Sequence, residues 1–268
     1  MRRKLRASNG AETMAQPVGR NLRLSLPRRF IGDLVHFAQR VPSVPVQRVM
    51  QLASLVSARQ RATPSPSWCA IFTKAYALVA SAYPELRRAY LSFPQPHLYE
   101  HPINVASIAV ERRFRDEDAV FFIHLKNPEK LTLQELDGQL RRAKEQPIEQ
   151  ISSFRRVLLV SRVPWPLRRL IWWTGLNVSG RKRAQYLGTF GVSVYSGLGA
   201  ASLHPLSPLT TALNYGVIAS DGSVDVRLVY DHRVLDGATV ARALADLERV
   251  LTHEILAELR YLEKVEAA

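Results

Sequence analysis

The sequence has little with which to staple itself or to enter a membrane. Its 268 residues include one cysteine, Cys69. No internal disulfide can form, and no cysteine-based zinc cluster can be built. A reducing, cytoplasmic setting is expected. No stretch approaches the ~18 uninterrupted apolar residues that a spanning helix needs. Met1 to Arg6 is basic like the start of a signal peptide, but no apolar run of sufficient length follows, which argues against secretion. Acidic residues are scarce: 23 against 37 lysines and arginines, for a formal charge of +14. That excess calls for an acidic partner, whether nucleic acid, an anionic membrane, an acidic carrier protein or a phosphate-bearing cofactor. Repeats and inter-domain linkers are missing too. The hydrophobic content, 47%, is enough for a real core.

What is present reads as alternating helices and strands. Residues 1–24 are basic, polar and without period, and are expected to form a disordered tail. Residues 25–268 are expected to form one domain. Phe30, Ile31, Leu34, Phe37 and Val41 recur at helical spacing until Pro42 and Pro45 stop them. A short strand at Val44–Val49, a helix to about Arg61 and a buried helix at Trp68–Ala82 follow. Val105–Val110 and Ala119–Leu125 read as strands. Thr132 and Glu135 form a capping box that opens a further helix. Three strands come later, at Thr189–Tyr195, Ala212–Ile218 and Val224–Tyr230. A last helix from Gly237 should bury Val240, Ala243, Leu244, Leu247, Val250 and Leu251. The order predicts an α+β chain, a mixed or antiparallel sheet covered by helices, in place of a doubly wound one.

The chemistry concentrates at Asp231-His232-Arg233-Val234-Leu235-Asp236-Gly237, between an apolar strand and an alanine-rich amphipathic helix. A neutral imidazole at a strand end can take a proton from a hydroxyl or thiol if its tautomer is fixed. Gly237 would let the backbone turn sharply. The bland alternative is a surface turn that merely caps a helix. The other six histidines show no metal-ligand spacing, and surface or capping roles suit most of them. Cys69 suits packing inside its helix. No metal site is expected.

The stretch from Asp231 to Ala238, in that context, closely resembles the catalytic signature of the acyltransferase component of 2-oxo acid dehydrogenase complexes. That family shares its fold with chloramphenicol acetyltransferase. Gly188-Thr189-Phe190-Gly191-Val192-Ser193, then Gly197-Leu198-Gly199 and Pro205, resembles a second family segment. Weaker similarity covers Phe72 to Leu86 and the helix at Arg28-Arg29, so the resemblance spans roughly residues 26–252. It implies a chloramphenicol acetyltransferase-like two-layer fold and a homotrimer whose sites lie between subunits. His232 would be the general base, and Ser193 would donate to the oxyanion. Asp236 would brace the loop through Arg28 or Arg29. A coenzyme A thioester would be co-substrate, with no permanently bound cofactor.

Two departures qualify it. Gly191 stands where the family usually has threonine, which should loosen the strand beside Ser193. About 25 residues precede the domain, too few for a lipoyl domain, so a free-standing acyltransferase is expected. It would move an acyl group from acyl-CoA or acyl carrier protein to a hydroxyl, amine or thiol. A non-catalytic scaffold, or a membrane-associated binding protein of the same fold, is the alternative. A nucleic-acid binder ranks third, since no recognised binding motif accompanies the charge. The Trp165–Trp173 segment holds three of the four tryptophans. It suits core or subunit interface, or else an interfacial helix with Arg168, Arg169, Arg181, Lys182 and Arg183 facing anionic lipid.

Overall fold

Ser25 accepts a hydrogen bond from the Arg28 N–H at 3.2 Å. Pro27 occupies the first turn, where its missing N–H costs nothing. These two residues start helix α1 (Leu26–Ala38) ahead of the apolar period that begins at Phe30. The chain is described here by a computed structural model covering residues 19–266. Most of the expected tail lies outside those residues, and its described part, from Gly19, has no regular structure until α1.

After α1 come strand β1 (Ser43–Gln51) and helices α2 (Ala53–Arg61) and α3 (Trp68–Ala82). Pro45 is tolerated in β1 because that strand is a sheet edge. Helix α3 is apolar on nearly every side, and 10 of its 15 residues are buried. Strands β2 (Arg88–Leu91) and β3 (His97–Glu100) pair as a small separate ribbon. The hairpin β4 (Val105–Phe114) and β5 (Glu117–Lys126) leads to α4 (Leu133–Glu145), whose Thr132–Glu135 capping box makes both of its reciprocal bonds. Three helices follow: α5 (Ser152–Arg162), α6 (Trp165–Asn177) and α7 (Gly180–Leu187). Strands β6 (Phe190–Val192), β7 (Thr211–Tyr215) and β8 (Ser223–Asp231) precede α8 (Gly237–Val250) and, after a π-helical turn, α9 (Leu256–Glu266).

Six strands form one mixed sheet in the order β1-β8-β7-β6-β4-β5. β6 runs parallel to both neighbours, and the remaining pairs are antiparallel. Helices α3, α4 and α8 pack on one another and on this sheet. All six apolar positions expected to be buried in the last helix are buried. Helix α1 packs against β5 and α5, with α6 beside it.

The Trp165–Trp173 segment is helix α6, and its charges are spent inside the molecule. The Arg168 guanidinium donates to the buried Asp33 carboxylate of α1, and Arg169 approaches the same carboxylate at 3.1 Å. Buried charges persist when paired in this way. Arg183 is buried too; it donates to the carbonyls of Tyr90, Leu176 and Pro208. Burial pulls its guanidinium down to about 10. Three of the five cations that the lipid-facing alternative would expose are therefore internal, claimed by polar partners within the fold. Trp172 is core, its ring 5.0 Å from that of Phe30 and stacked on Phe37 at 5.9 Å. Trp165, Leu167 and Leu170 point outward.

Candidate functional site

The His232 turn is assembled from its own residues. β8 ends at Asp231, whose N–H donates to the Thr210 carbonyl at 2.8 Å. The N–H groups of Val234 and Leu235 then return to the Asp231 carbonyl at 3.0 and 3.1 Å, closing the turn. Asp231 is fully buried, and its carboxylate accepts from Arg233 three times: from N–H at 3.0 Å, Nε at 2.9 Å and a terminal nitrogen at 2.7 Å. The same guanidinium lies 4.3 Å from the Tyr90 ring. Such charge-assisted, bidentate bonding fixes the turn rigidly.

This fixes His232. Its N–H donates to the Pro42 carbonyl at 3.0 Å, and its Nδ1 lies 3.0 Å from the Leu235 carbonyl. A carbonyl only accepts, so Nδ1 carries the proton and the Nε2 lone pair is left free to act as a base. The ring meets Tyr230 edge-on at 5.5 Å, and the side chain keeps 51% of its surface open.

Two expectations about this turn need correcting. Asp236 does not meet Arg28 or Arg29 within the chain. Its side chain is 88% exposed, and its one ion pair among the described residues is with His232 Nδ1, at 3.9 Å. Arg29 donates instead to the Leu24 carbonyl, and Arg28 stands at the rim of a cavity. The bracing carboxylate is Asp231, which finds its arginine two residues away. Gly237 supplies no unusual backbone angle either. It is the first residue of α8, behind Asp236 as cap, and a side chain there would meet the Tyr230 hydroxyl at 3.4 Å.

Ser193 follows β6. Its N–H donates to the Leu213 carbonyl at 3.2 Å, and its own carbonyl accepts from the buried Asn214 amide. Gly191 does not loosen the strand, since it pairs in register with Ser107 on one side and Ala212 on the other. Ser193 lies in the wall of a cavity of about 720 Å³, bounded by the sheet, α1, α5, α6 and α7. A volume of that size can hold a substantial ligand. His124 also lines it, and burial first, then the Arg156 charge, hold its imidazole down at about 4, so it is neutral at physiological pH. His101 is likewise buried and held at about 4. These two histidines thus lie outside the surface role expected of most. Cys69 fits its packing role, with burial pushing its thiol up to about 11. Among the described residues no group of three or more histidine, cysteine and acidic side chains could hold a metal.

His232 and Ser193 are not brought together within one chain. Ser193 is level with Asn214 on β7 and hence with Arg227 on β8, two strands across and five residues short of His232. At ~4.8 Å between strands and ~3.4 Å per residue, that is about 20 Å. The loop that follows Ser193 carries the exposed Tyr195, Leu198, Leu203 and Leu206, Leu198 with 77% of its surface open.

No family model matches the sequence, and no curated protein matches it. Solved structures do. The cubic core of the pyruvate dehydrogenase multienzyme complex is 16% identical, over 96% of this chain and 99% of that one, with a TM-score of 0.67. Dihydrolipoamide acetyltransferase of Azotobacter vinelandii is 17% identical, over 96% and 99% of the two chains, with a TM-score of 0.66. A truncated catalytic core of the 2-oxoacid dehydrogenase multienzyme complex from Thermoplasma acidophilum is 18% identical, over 88% and 99%, with a TM-score of 0.64. The chain shares the fold of these cores over nearly its whole length.

Proposed function

We propose that the chain is an acyltransferase that takes an acyl group from a thioester and passes it to a hydroxyl, amine or thiol acceptor. His232 Nε2 removes the acceptor's proton as the acceptor attacks the thioester carbonyl. The Ser193 hydroxyl donates to the oxyanion that forms. Collapse of the tetrahedral intermediate expels the thiolate, which recovers the proton from the imidazolium. No covalent acyl-enzyme is needed. The donor is acyl-CoA or an acyl carrier protein, and the charge of +14 suits the phosphates or acidic surface of either.

The observation that carries this reading is the locked tautomer of His232, which leaves a free lone pair on an exposed nitrogen of a rigid turn. The Azotobacter vinelandii enzyme has a serine, a histidine and an asparagine studied for their roles in its catalytic mechanism, the last two four positions apart. His232 and Asp236 have the same spacing. The ~20 Å between His232 and Ser193 favours a homotrimer in which His232 of one subunit faces Ser193 of the next. The exposed leucines beside Ser193 are the surface such an assembly would cover.

Complementation tests the whole reading. His232→Ala and Ser193→Ala chains, each inactive alone, are unfolded together and refolded, and regain transfer because some interfaces recover both groups. A monomer by light scattering with full activity overturns the divided site. So does a trimer without complementation once subunit exchange has been demonstrated. Peripheral contact with anionic membrane is a second reading, favoured by the outward Trp165, Leu167 and Leu170 of α6 beside exposed Arg181 and Lys182. No helix among the described residues is long and apolar enough to cross a membrane. Unchanged partitioning of a Trp165→Ala, Leu170→Ala variant onto anionic vesicles would remove it.

A further inference from the structure

We propose that the cavity beside Ser193 binds a medium- to long-chain acyl group, and that Gly191 determines how much of it fits. The inference rests on the acyl-transfer reading and names the substrate class of that same site.

The floor of the cavity is a row of four residues from four adjacent strands. His124, Ser107, Gly191 and Ala212 stand in register across β5, β4, β6 and β7. Three of the four are small, and the missing bulk is the space above them. Gly191 is the smallest and lies two residues before Ser193. Its backbone does not require glycine: no left-handed angle occurs there, and both neighbouring strands hold it in register. A Cβ at Gly191 would meet Ser207, Leu209 and Ala212, each at 3.7 Å, which is ordinary contact. A larger residue would therefore be accepted by the fold, and glycine there leaves volume.

The opposite wall is apolar. Phe30, Ile31 and Leu34 come from α1, and Val157 and Val160 from α5. Charged groups on β5 sit at its hairpin end, Glu117 and Asp118, and Arg156 lies over Tyr186 beside His124. His124 is uncharged, so it does not penalise an apolar guest. From Asp118 to His124, both lining residues on β5, the cavity extends about 20 Å at ~3.4 Å per residue. An acetyl group would leave nearly all of it unfilled. A chain of eight or more carbons would exchange water contact for these walls, at about fourfold in affinity per methylene.

The test measures binding apart from chemistry. Acetyl, octanoyl and dodecanoyl thioesters of pantetheine are titrated calorimetrically into wild type and into His232→Ala, which cannot transfer. Affinity should rise steeply with chain length in both. Gly191→Leu, filling the floor, and Leu34→Trp, filling the opposite wall, should each flatten that rise at least tenfold for dodecanoyl, with circular dichroism confirming folding. Equal affinities for all three thioesters in wild type overturn the proposal. So does an undiminished rise in both folded variants. If the rise is present but wild type transfers none of the thioesters, the acyl site stands and the acyl-transfer reading fails. If acetyl is transferred with no rise, the reading stands and the acyl site fails.

Discussion

The His232 turn and the Ser193 wall are built in opposite ways. The turn is largely local: Asp231, Arg233 and Leu235, all within three residues of His232, set its shape and its tautomer, and the carbonyls of Pro42 and Thr210 anchor its backbone. The wall is non-local. Ser193 is held by strands β6 and β7, and the cavity beside it draws on four strands and four helices. One region is thus a reactive group held by a rigid turn and left half-open. The other is a volume set by register. Damage to the turn should strike the chemistry or the local fold, whereas damage to the wall should change what fits.

The largest effect expected is at the buried base of the turn. Asp231→Ala removes a buried carboxylate that accepts three hydrogen bonds from the partly exposed Arg233 and should cost about 1.5–3 kcal/mol of stability, read from urea unfolding. A loss below ~1 kcal/mol would mean that the turn is not self-braced. His232→Ala should lower transfer at least ~10²-fold with the urea midpoint unmoved. Wild-type transfer by a pure sample would remove His232 from the base's role. Ser193→Ala should cost on the order of 10²-fold in kcat with modest change in donor affinity. If affinity alone falls, Ser193 belongs with the cavity and not with the chemistry.

Acid should separate the regions further. His124 and His101 titrate near about 6.5 when unfolded and near about 4 when folded. As pH falls through 6.5 the unfolded chain takes up protons that the folded chain refuses until about 4. Stability is therefore full above 6.5 and declines from there toward 4. A His124→Gln chain should lose less over that window than wild type in urea midpoints, and an equal loss would clear His124. The smallest effect is assigned to Asp236→Asn. With Asp236 88% exposed, its stability change should stay below ~1 kcal/mol, and a larger drop would reveal a partner contributed by another subunit.

The same contrast explains what could be read from the sequence. Strand β8, the turn and α8 are contiguous, so apolar alternation, the His232 motif and the helical period announced them together. The capping box at Thr132 and the buried helix at Trp68 are equally local. The cavity was invisible because its floor joins His124, Ser107, Gly191 and Ala212, which share no stretch of chain. Gly191 stood out, but as a weakness of the strand; only the cross-strand register shows it as a source of space. Arg168 looked like a surface cation because its partner, Asp33, lies 135 residues away. Asp236 was given Arg28 or Arg29, yet it stands exposed, and the carboxylate that holds an arginine in this turn is Asp231, with Arg233. Pairing across the fold followed distances that sequence does not contain.

The ~20 Å that separates His232 from Ser193 along the sheet has a consequence for the rate law. If each working centre draws on two chains, the number of centres follows the association equilibrium of the subunits and not the amount of polypeptide. Dilution then acts as an inhibitor. Activity per milligram is constant at high concentration and falls off below the dissociation constant of the assembly, with a lag after dilution equal to the time the subunits take to part. Cellular abundance becomes a control on the enzyme, steeper than proportional, without any effector molecule.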